Sequence, residues 1–212
     1  MSLDIDLMRR SAETPVRAAD ADFERVARDL TDAFTDDPVF NWFSRPGPGR
    51  EAARLGLFRF LLKELFGEDG EILTPEGGGA AAVWLPSEAL GPNPILKELQ
   101  AVPVMLRLTG FGRIGRLIKQ RECMDHHHKL DRPHAYLSFL GVTRAAQGHG
   151  VGSRLLASKT RELDAQGRPA YLETATERNV ALYRRHGFEI ASEFYPTADG
   201  PRQWTMWREP QA

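Results

Sequence analysis

Residues 144–156 read RAAQGHGVGSRLL, with Gly148, Gly150 and Gly152 at alternate positions just before an amphipathic run that ends at Gly167. Glycine is costly at the start of a helix, so three of them there point to a close approach that β-carbons would obstruct. The apolar stretch AYLSFLGV (135–142) precedes the turn and SRLLASKTRELDAQG (153–167) follows it, an order that reads as strand, glycine turn and helix. The first amides of such a helix have no internal partners, and the aligned peptide dipoles add about half a positive charge. A phosphate satisfies both. On this reading the amides around Gly148, Gly150 and Gly152 hold a pyrophosphate, with the Ser153 hydroxyl as an added donor.

Working outward, the C-terminal half gives a helix from Gly150 to Gln166, a strand in AYLETA, a short helix from Asn179 to His186, a strand in GFEIASEFY and a last strand in QWTMWR. Strand, helix, strand is a parallel crossover within an α/β sheet. Upstream, Pro15 to Ala18 forms a short strand and ADFERVARDLTDAF a helix, with Phe23, Val26, Ala27, Leu30 and Phe34 at helical spacing and Asp20 or Asp22 as its cap. Asp37-Pro38 ends that helix, and a loop through Asn41, Trp42 and Phe43 leads to a second one from Glu51 to Phe66. EDGEILT and AAAVWLP, on either side of PEGGG, form a β-hairpin. Between residues 87 and 133, ILKELQAVPVMLRL and FGRIGRLIKQRECM read as helices.

Composition narrows the classes. A chain of 212 residues with 42% apolar content buries one substantial core, and 28 Lys plus Arg against 29 Asp plus Glu give no charge that recruits nucleic acid or an anionic membrane. The single Cys123 excludes an intrachain disulfide, MSLDIDLMRR lacks the apolar core of a signal peptide, and no apolar run approaches the ~20 residues of a membrane span. A cytoplasmic location is expected. TGFGRIGR, with Gly110, Gly112 and Gly115, also satisfies a dinucleotide-binding pattern and keeps a nicotinamide-dependent oxidoreductase open as an alternative, provided that Leu106 to Thr109 form a strand.

The segment Gln147-Gly148-His149-Gly150-Val151-Gly152 resembles the Q/R-x-x-G-x-G/A acyl-CoA signature of the GNAT superfamily of N-acetyltransferases. YLETATERN and ALYRRHGFE extend the likeness, and AVWLP, YLETATERN and GPRQWTM resemble the puromycin N-acetyltransferase branch and its bacterial relatives. The resemblance implies one α/β (α+β) domain over 1–212, with a mixed sheet of six to seven strands, a parallel splayed pair, helices on both faces, and residues 87–133 as a variable helical insertion. It implies acetyl-CoA as cofactor and a small primary amine as acceptor, joined by direct attack in a ternary complex. A coenzyme A-binding module without catalysis is the alternative. Neither nucleic acid nor membrane is implied as a partner, and a homodimer is admissible.

The same resemblance implies the site residues. Leu140, Gly141 and Val142 hold the pantetheine chain along a splayed strand, with an amide of Leu140 or Val142 stabilising the oxyanion. Asn179 lies near coenzyme A, and Tyr183 is the general acid for the sulfur. The residues themselves nominate Glu173 as base, because a carboxylate among apolar strand neighbours has a raised pKa; His134 and the histidines 126–128 are alternatives. In CMDHHHKLDRPH, Cys123, Asp125, His126, His127, His128 and His134 lack zinc-site spacing, so no metal is expected and the loop is read as lining the acceptor pocket. TDDPVFNWF supplies the opposite wall, with Asp36, Asp37, Phe40, Trp42 and Phe43 suited to an amine.

Overall fold

A computed structural model describes residues 4–66, 69–91, 95–128 and 132–211. Parts of the hairpin stretch EDGEILT, of the proline-rich break before residue 95, and of the loop CMDHHHKLDRPH therefore lie outside the described residues, as do residues 1–3 of the N-terminal stretch.

Helix α1 (Ile5–Ser11) starts at Asp4, whose carboxylate accepts the Leu7 N–H at 3.0 Å. Then come β1 (Val16–Arg17), α2 (Phe23–Ala33), α3 (Pro38–Phe43), α4 (Arg50–Phe60), β2 (Glu71–Thr74) and β3 (Ala80–Pro86). Two longer helices follow, α5 (Ile95–Thr109) and α6 (Ile114–His127), and then β4 (Ala135–Val142), α7 (Val151–Ala165), β5 (Ala170–Thr174), α8 (Glu177–Arg184), β6 (Glu189–Phe194) and β7 (Gln203–Arg208). The strands form one mixed sheet in the order β1-β2-β3-β4-β5-β7-β6, in which β4 and β5 alone run parallel.

Side-chain alternation along β3 shows how the layers form. Ala80, Ala82 and Trp84 pack into the core under α1 and α7, whereas Ala81 and Val83 join the core under α2 and α4. All five are buried, so both faces of the sheet are covered by helices and the strand reads as a continuous apolar run.

Three elements differ from the sequence reading. Asp37-Pro38 starts a helix as well as following one: the Asp37 carboxylate accepts the Phe40 N–H at 2.8 Å and Pro38 occupies the first turn of α3, where a missing N–H costs nothing. Asn41, Trp42 and Phe43 are thus helical. The helix read over Glu51–Phe66 leaves α-geometry after Phe60 for a π-turn, Leu61–Leu65. Leu106 to Thr109 are the last turn of α5, not a strand. Gly110, at φ +62°, follows that turn, and Gly115 lies inside α6. The dinucleotide reading fails on this point, since its glycines follow a helix. The arginines of TGFGRIGR work elsewhere: Arg113 donates to the carbonyls of Asn41, Trp42 and Ser44 at 3.2, 3.1 and 2.7 Å, so α6 closes the open end of α3.

Strands β4 and β5 pair only through Ala135↔Ala170, Tyr136↔Tyr171 and Leu137↔Leu172. The register against β3 jumps at the same place, from Val83↔Phe139 to Trp84↔Leu137, which leaves Ser138 as an extra residue. Beyond this bulge β4 runs on to Val142 beside β3, and among the described residues no strand pairs with its other edge.

Candidate active site

The free edge of β4 opens on a cleft of about 560 Å³, lined by Leu140, Gly141 and Val142, by Gln147, Gly148 and Gly150 in the turn, by Val151, Gly152 and Ser153 at the start of α7, and by Asn179, Leu182 and Tyr183 of α8. Sequence placed nearly all of these; His149 is exposed and does not line the cleft. The turn works through backbone conformation. Gly148 and Gly150 have φ of +83° and +78°, a left-handed region that L side chains rarely adopt. Gly152 has a different reason: a β-carbon there would meet Val142 Cγ2 at 3.2 Å, so this glycine lets α7 lie close against β4. Only two of the three glycines shape the turn through positive φ. The Gln147 amide donates to the Val142 carbonyl at 3.1 Å and fastens the turn to the strand, while the Ser153 hydroxyl lies 2.7 Å from His186 Nε2.

Thr176, Arg178 and Arg185 also line this cleft, and the sequence reading did not select them. Both arginines are exposed, Arg178 on α8 and Arg185 just after it, and their value to an anionic ligand was hidden because helical spacing alone does not say which side of α8 faces the turn. The free amides of the first α7 turn, the glycine turn and the open strand edge fit a diphosphate joined to a chain carrying amides.

A second cavity, of about 340 Å³, lies deeper and shares Phe34, Asp37, Leu140, Asn179 and Tyr183 with the cleft. It is mostly apolar, with Phe40 and Phe43 from α3, Met105 and Leu108 from α5, Leu117 and Met124 from α6, and Phe139 from β4. Gln120 and Gln203 line it too and exchange two buried amide hydrogen bonds of 2.8 and 2.9 Å, which tie α6 to β7. Of the wall expected in TDDPVFNWF, the structure brings Asp37, Phe40 and Phe43 here. Asp36 lines the first cleft, and Trp42 lies away from both, packed against the Arg116 guanidinium at 5.3 Å. His134 does not reach this cavity either; it borders a neighbouring outer cavity of about 810 Å³ with His128, Arg132 and Glu88.

Glu173 lines the apolar cavity. Alternation on β5 explains its direction, since Leu172 packs toward α7 and the next residue must face the other side. The Glu173 side chain is 7% exposed, and its Oε1 has no hydrogen-bond partner. Burial pushes the carboxyl up to about 7; the Tyr171 and Tyr136 hydroxyls oppose this only in part, because neither has hydrogen-bonding geometry to Oε1. Tyr183 is fully buried at the junction of cleft and cavity, and burial, with Asp37 adding to it, holds its phenol well above the ordinary value. It is therefore a neutral donor at physiological pH. Burial also raises Asp37, against the pull of its bond from the Phe40 N–H.

The remaining histidines and Cys123 diverge. His126 is exposed, His127 stacks on Phe194, and Cys123 points toward the Tyr195 carbonyl. Among the described residues no three His, Cys, Asp or Glu side chains converge as metal ligands, and no helix is long and apolar enough to cross a membrane.

This architecture, a bulged and splayed parallel pair over a glycine turn, is that of known acetyltransferases. Residues 105–190 match the family model described as acetyltransferase (GNAT) domain. An uncharacterized N-acetyltransferase of Schizosaccharomyces pombe is 24% identical over 219 residues, covering 90% of this chain and 81% of that protein. A crystal structure from Corynebacterium glutamicum, described as histone acetyltransferase HPA2 and related acetyltransferase, superposes with a TM-score of 0.66 at 25% identity over 93% of this chain and 96% of the other. Arylalkylamine N-acetyltransferase 2 of Aedes aegypti shares the fold, with a TM-score of 0.60 at 13% identity over 93% and 98% of the two chains. Over residues 105–190 the chain is thus similar to GNAT acetyltransferase domains. The proteins it is similar to are named as acetyltransferases.

Proposed function

We propose that the chain transfers the acetyl group directly to the primary amine of a small, largely apolar molecule, with both substrates bound at once. The observation that carries this reading is Glu173: a buried carboxyl, raised to about 7 by burial and with its Oε1 unpartnered, in an apolar cavity that shares Tyr183 with the cleft. A cavity of about 340 Å³ suits a compact acceptor.

Acetyl-CoA supplies an activated acyl carbon and a thiolate leaving group. The glycine turn and the first turn of α7 hold its phosphates, with Arg178 and Arg185 at the rim, and the free edge of β4 from Ser138 to Val142 pairs with its pantetheine amides. Glu173 removes the proton of the bound ammonium, which frees the nitrogen lone pair for attack. The amide of Leu140 or Val142 faces the developing oxyanion; as the C–S bond breaks the Tyr183 hydroxyl gives its proton to the departing sulfur, and the proton that the nitrogen sheds on becoming an amide replaces it on Tyr183. Asp37 and the phenylalanines orient the acceptor. The insertion formed by α5 and α6 supplies much of the cavity wall, so it sets which amine fits.

The test is thiol release from acetyl-CoA across a panel of amines graded in apolar size, with peptide N-termini included. Turnover should favour compact apolar primary amines and decline as pH falls through about 7. Preference for peptides would overturn the acceptor assignment, and cofactor binding with no turnover on any amine would favour the non-catalytic module.

A further inference from the structure

The three histidines that end α6 part company, and His128 alone turns inward. Its ring stacks on Tyr171 at 4.2 Å and meets Tyr136 edge-on at 4.9 Å. Its Nε2 lies 2.9 Å from His134 Nε2, and its Nδ1 lies 3.9 Å from Glu173 Oε1. Bonding fixes the tautomers. His134 Nδ1 is 3.0 Å from the Arg132 carbonyl, which only accepts, so that nitrogen carries the hydrogen and a neutral His134 offers a lone pair at Nε2. His128 must then donate from its own Nε2. Its Nδ1 lone pair is left facing the one carboxyl oxygen of Glu173 that has no partner.

We infer that His128 is the proton relay that resets the base, taking from Glu173 the proton removed from the amine and releasing it into the outer cavity, with His134 as the positioning residue that fixes its tautomer. This rests on the assignment of Glu173 as base. In the step, the Glu173 O–H bond breaks and an N–H bond forms at His128 Nδ1, so the carboxylate is regenerated and the ring becomes an imidazolium. The imidazolium then loses one proton to water in the outer cavity, which His128 lines. A small rotation of either side chain closes the 3.9 Å gap to hydrogen-bond length.

The groups facing the ring are Glu173 and Tyr171 from β5, Tyr136 from β4, and His134 and Arg132 from the segment before β4. Asp125 and Arg121 of α6, with Glu88 and Asp69, share the lining of the outer cavity. Burial, with His134 adding to it, lowers His128 to about 4, against about 7 for Glu173. The proton therefore rests on the carboxyl and occupies the ring only in transit.

The experiment replaces His128 with Gln and with Phe, checks folding by thermal melting, and measures kcat for the best amine with and without added imidazole. The expected result is a fall in kcat of ~10-fold or more, an unchanged KM for acetyl-CoA, and recovery as imidazole enters the outer cavity. An unchanged kcat, or a fall that imidazole does not restore, overturns the relay. Should neither variant fold, nitrogen NMR of the unmodified protein decides: an unprotonated Nδ1 on His128 is expected, and a hydrogen at Nδ1 overturns it. Glu173→Gln separates the two readings. If that variant loses kcat while the His128 variants keep it, only the relay fails; if Glu173→Gln keeps kcat, the base assignment itself falls.

Discussion

The cleft proposed for the cofactor and the cavity proposed for the acceptor meet at Tyr183 but are made of different material. The cleft is mostly main chain: a strand edge from Ser138 to Val142, a turn that works because Gly148 and Gly150 adopt positive φ, and the bare amides of α7. The cavity is mostly side chain, assembled from α3, α5, α6, β4, β5 and β7. A site of main chain recognises what every acyl-CoA shares, and it is disturbed by adding atoms. A site of side chains recognises what distinguishes one amine from another, and it is disturbed by removing or exchanging atoms.

The largest effect is expected from Glu173→Gln, which exchanges one atom in the cavity and leaves the cleft intact. General-base catalysis contributes ~10²–10⁴-fold, so kcat should fall by that order while acetyl-CoA affinity measured by calorimetry stays constant. In the unmodified enzyme kcat/KM should decline as pH falls through about 7, where the carboxyl takes up its proton. Retained activity in the variant, or an acid limb that persists in it unaltered, would break the distinction between the two sites.

Tyr183→Phe probes the junction. Loss of the hydroxyl should lower kcat by about 10²-fold with little change in acetyl-CoA affinity, since the ring still fills its buried place against Phe188. A kcat close to that of the unmodified enzyme, under conditions where chemistry limits turnover, would mean that water or substrate protonates the sulfur. Gly150→Glu adds atoms to the main-chain site. It places a side chain at φ +78° and a negative charge against the phosphates, so the acetyl-CoA Kd should rise at least ~10-fold, about 1.4 kcal/mol. Unchanged affinity in a folded variant would remove the phosphate assignment.

A further effect is expected on stability. The carboxyl of Glu173 has its folded pKa near 7, above the 4.5 of an ordinary glutamate, so the folded state holds its proton more tightly than the unfolded chain. That contribution is fully present below 4.5 and is lost as pH rises through about 7, where a buried charge must be tolerated. The interval between these values caps the loss at about 3 kcal/mol. Glu173→Gln should therefore melt a few degrees higher than the unmodified protein above pH 7, with the advantage vanishing as pH falls toward 4.5. A lower melting temperature at high pH would mean that the carboxylate is better solvated than its surroundings indicate.

The same division governs what could be read in advance. The segment from β4 through α8 was legible to within a few residues because period-two and helical spacings alternate cleanly there, with glycines as punctuation. The three glycines were legible as a special turn, but not their separate reasons: positive φ at Gly148 and Gly150, and packing on Val142 at Gly152, depend on backbone path and on a neighbouring element. Helix α3 was missed because the pair Asp37-Pro38 is both a stop signal and a start signal, and six residues are too few to show a period. In the cavity, Glu173 could be placed from its alternation with Leu172, but Trp42 and His134 could not be told from Phe40 by residue type alone. Gln120 and Gln203 meet across 83 positions of chain, and no local pattern announces such a pair.

The bulge at Ser138 leaves the sheet with a seam that its own chain does not close. Unpaired strand edges elsewhere invite other chains to pair with them, and here the gap is matched in character by the two amides of a pantetheine arm. Filling it extends the central ladder by backbone that the gene does not encode. The amide hydrogens of Leu140 and Val142, which point away from β3, should then exchange quickly in the free protein and slowly at saturating acetyl-CoA, which makes the completeness of the sheet a variable set by metabolite supply.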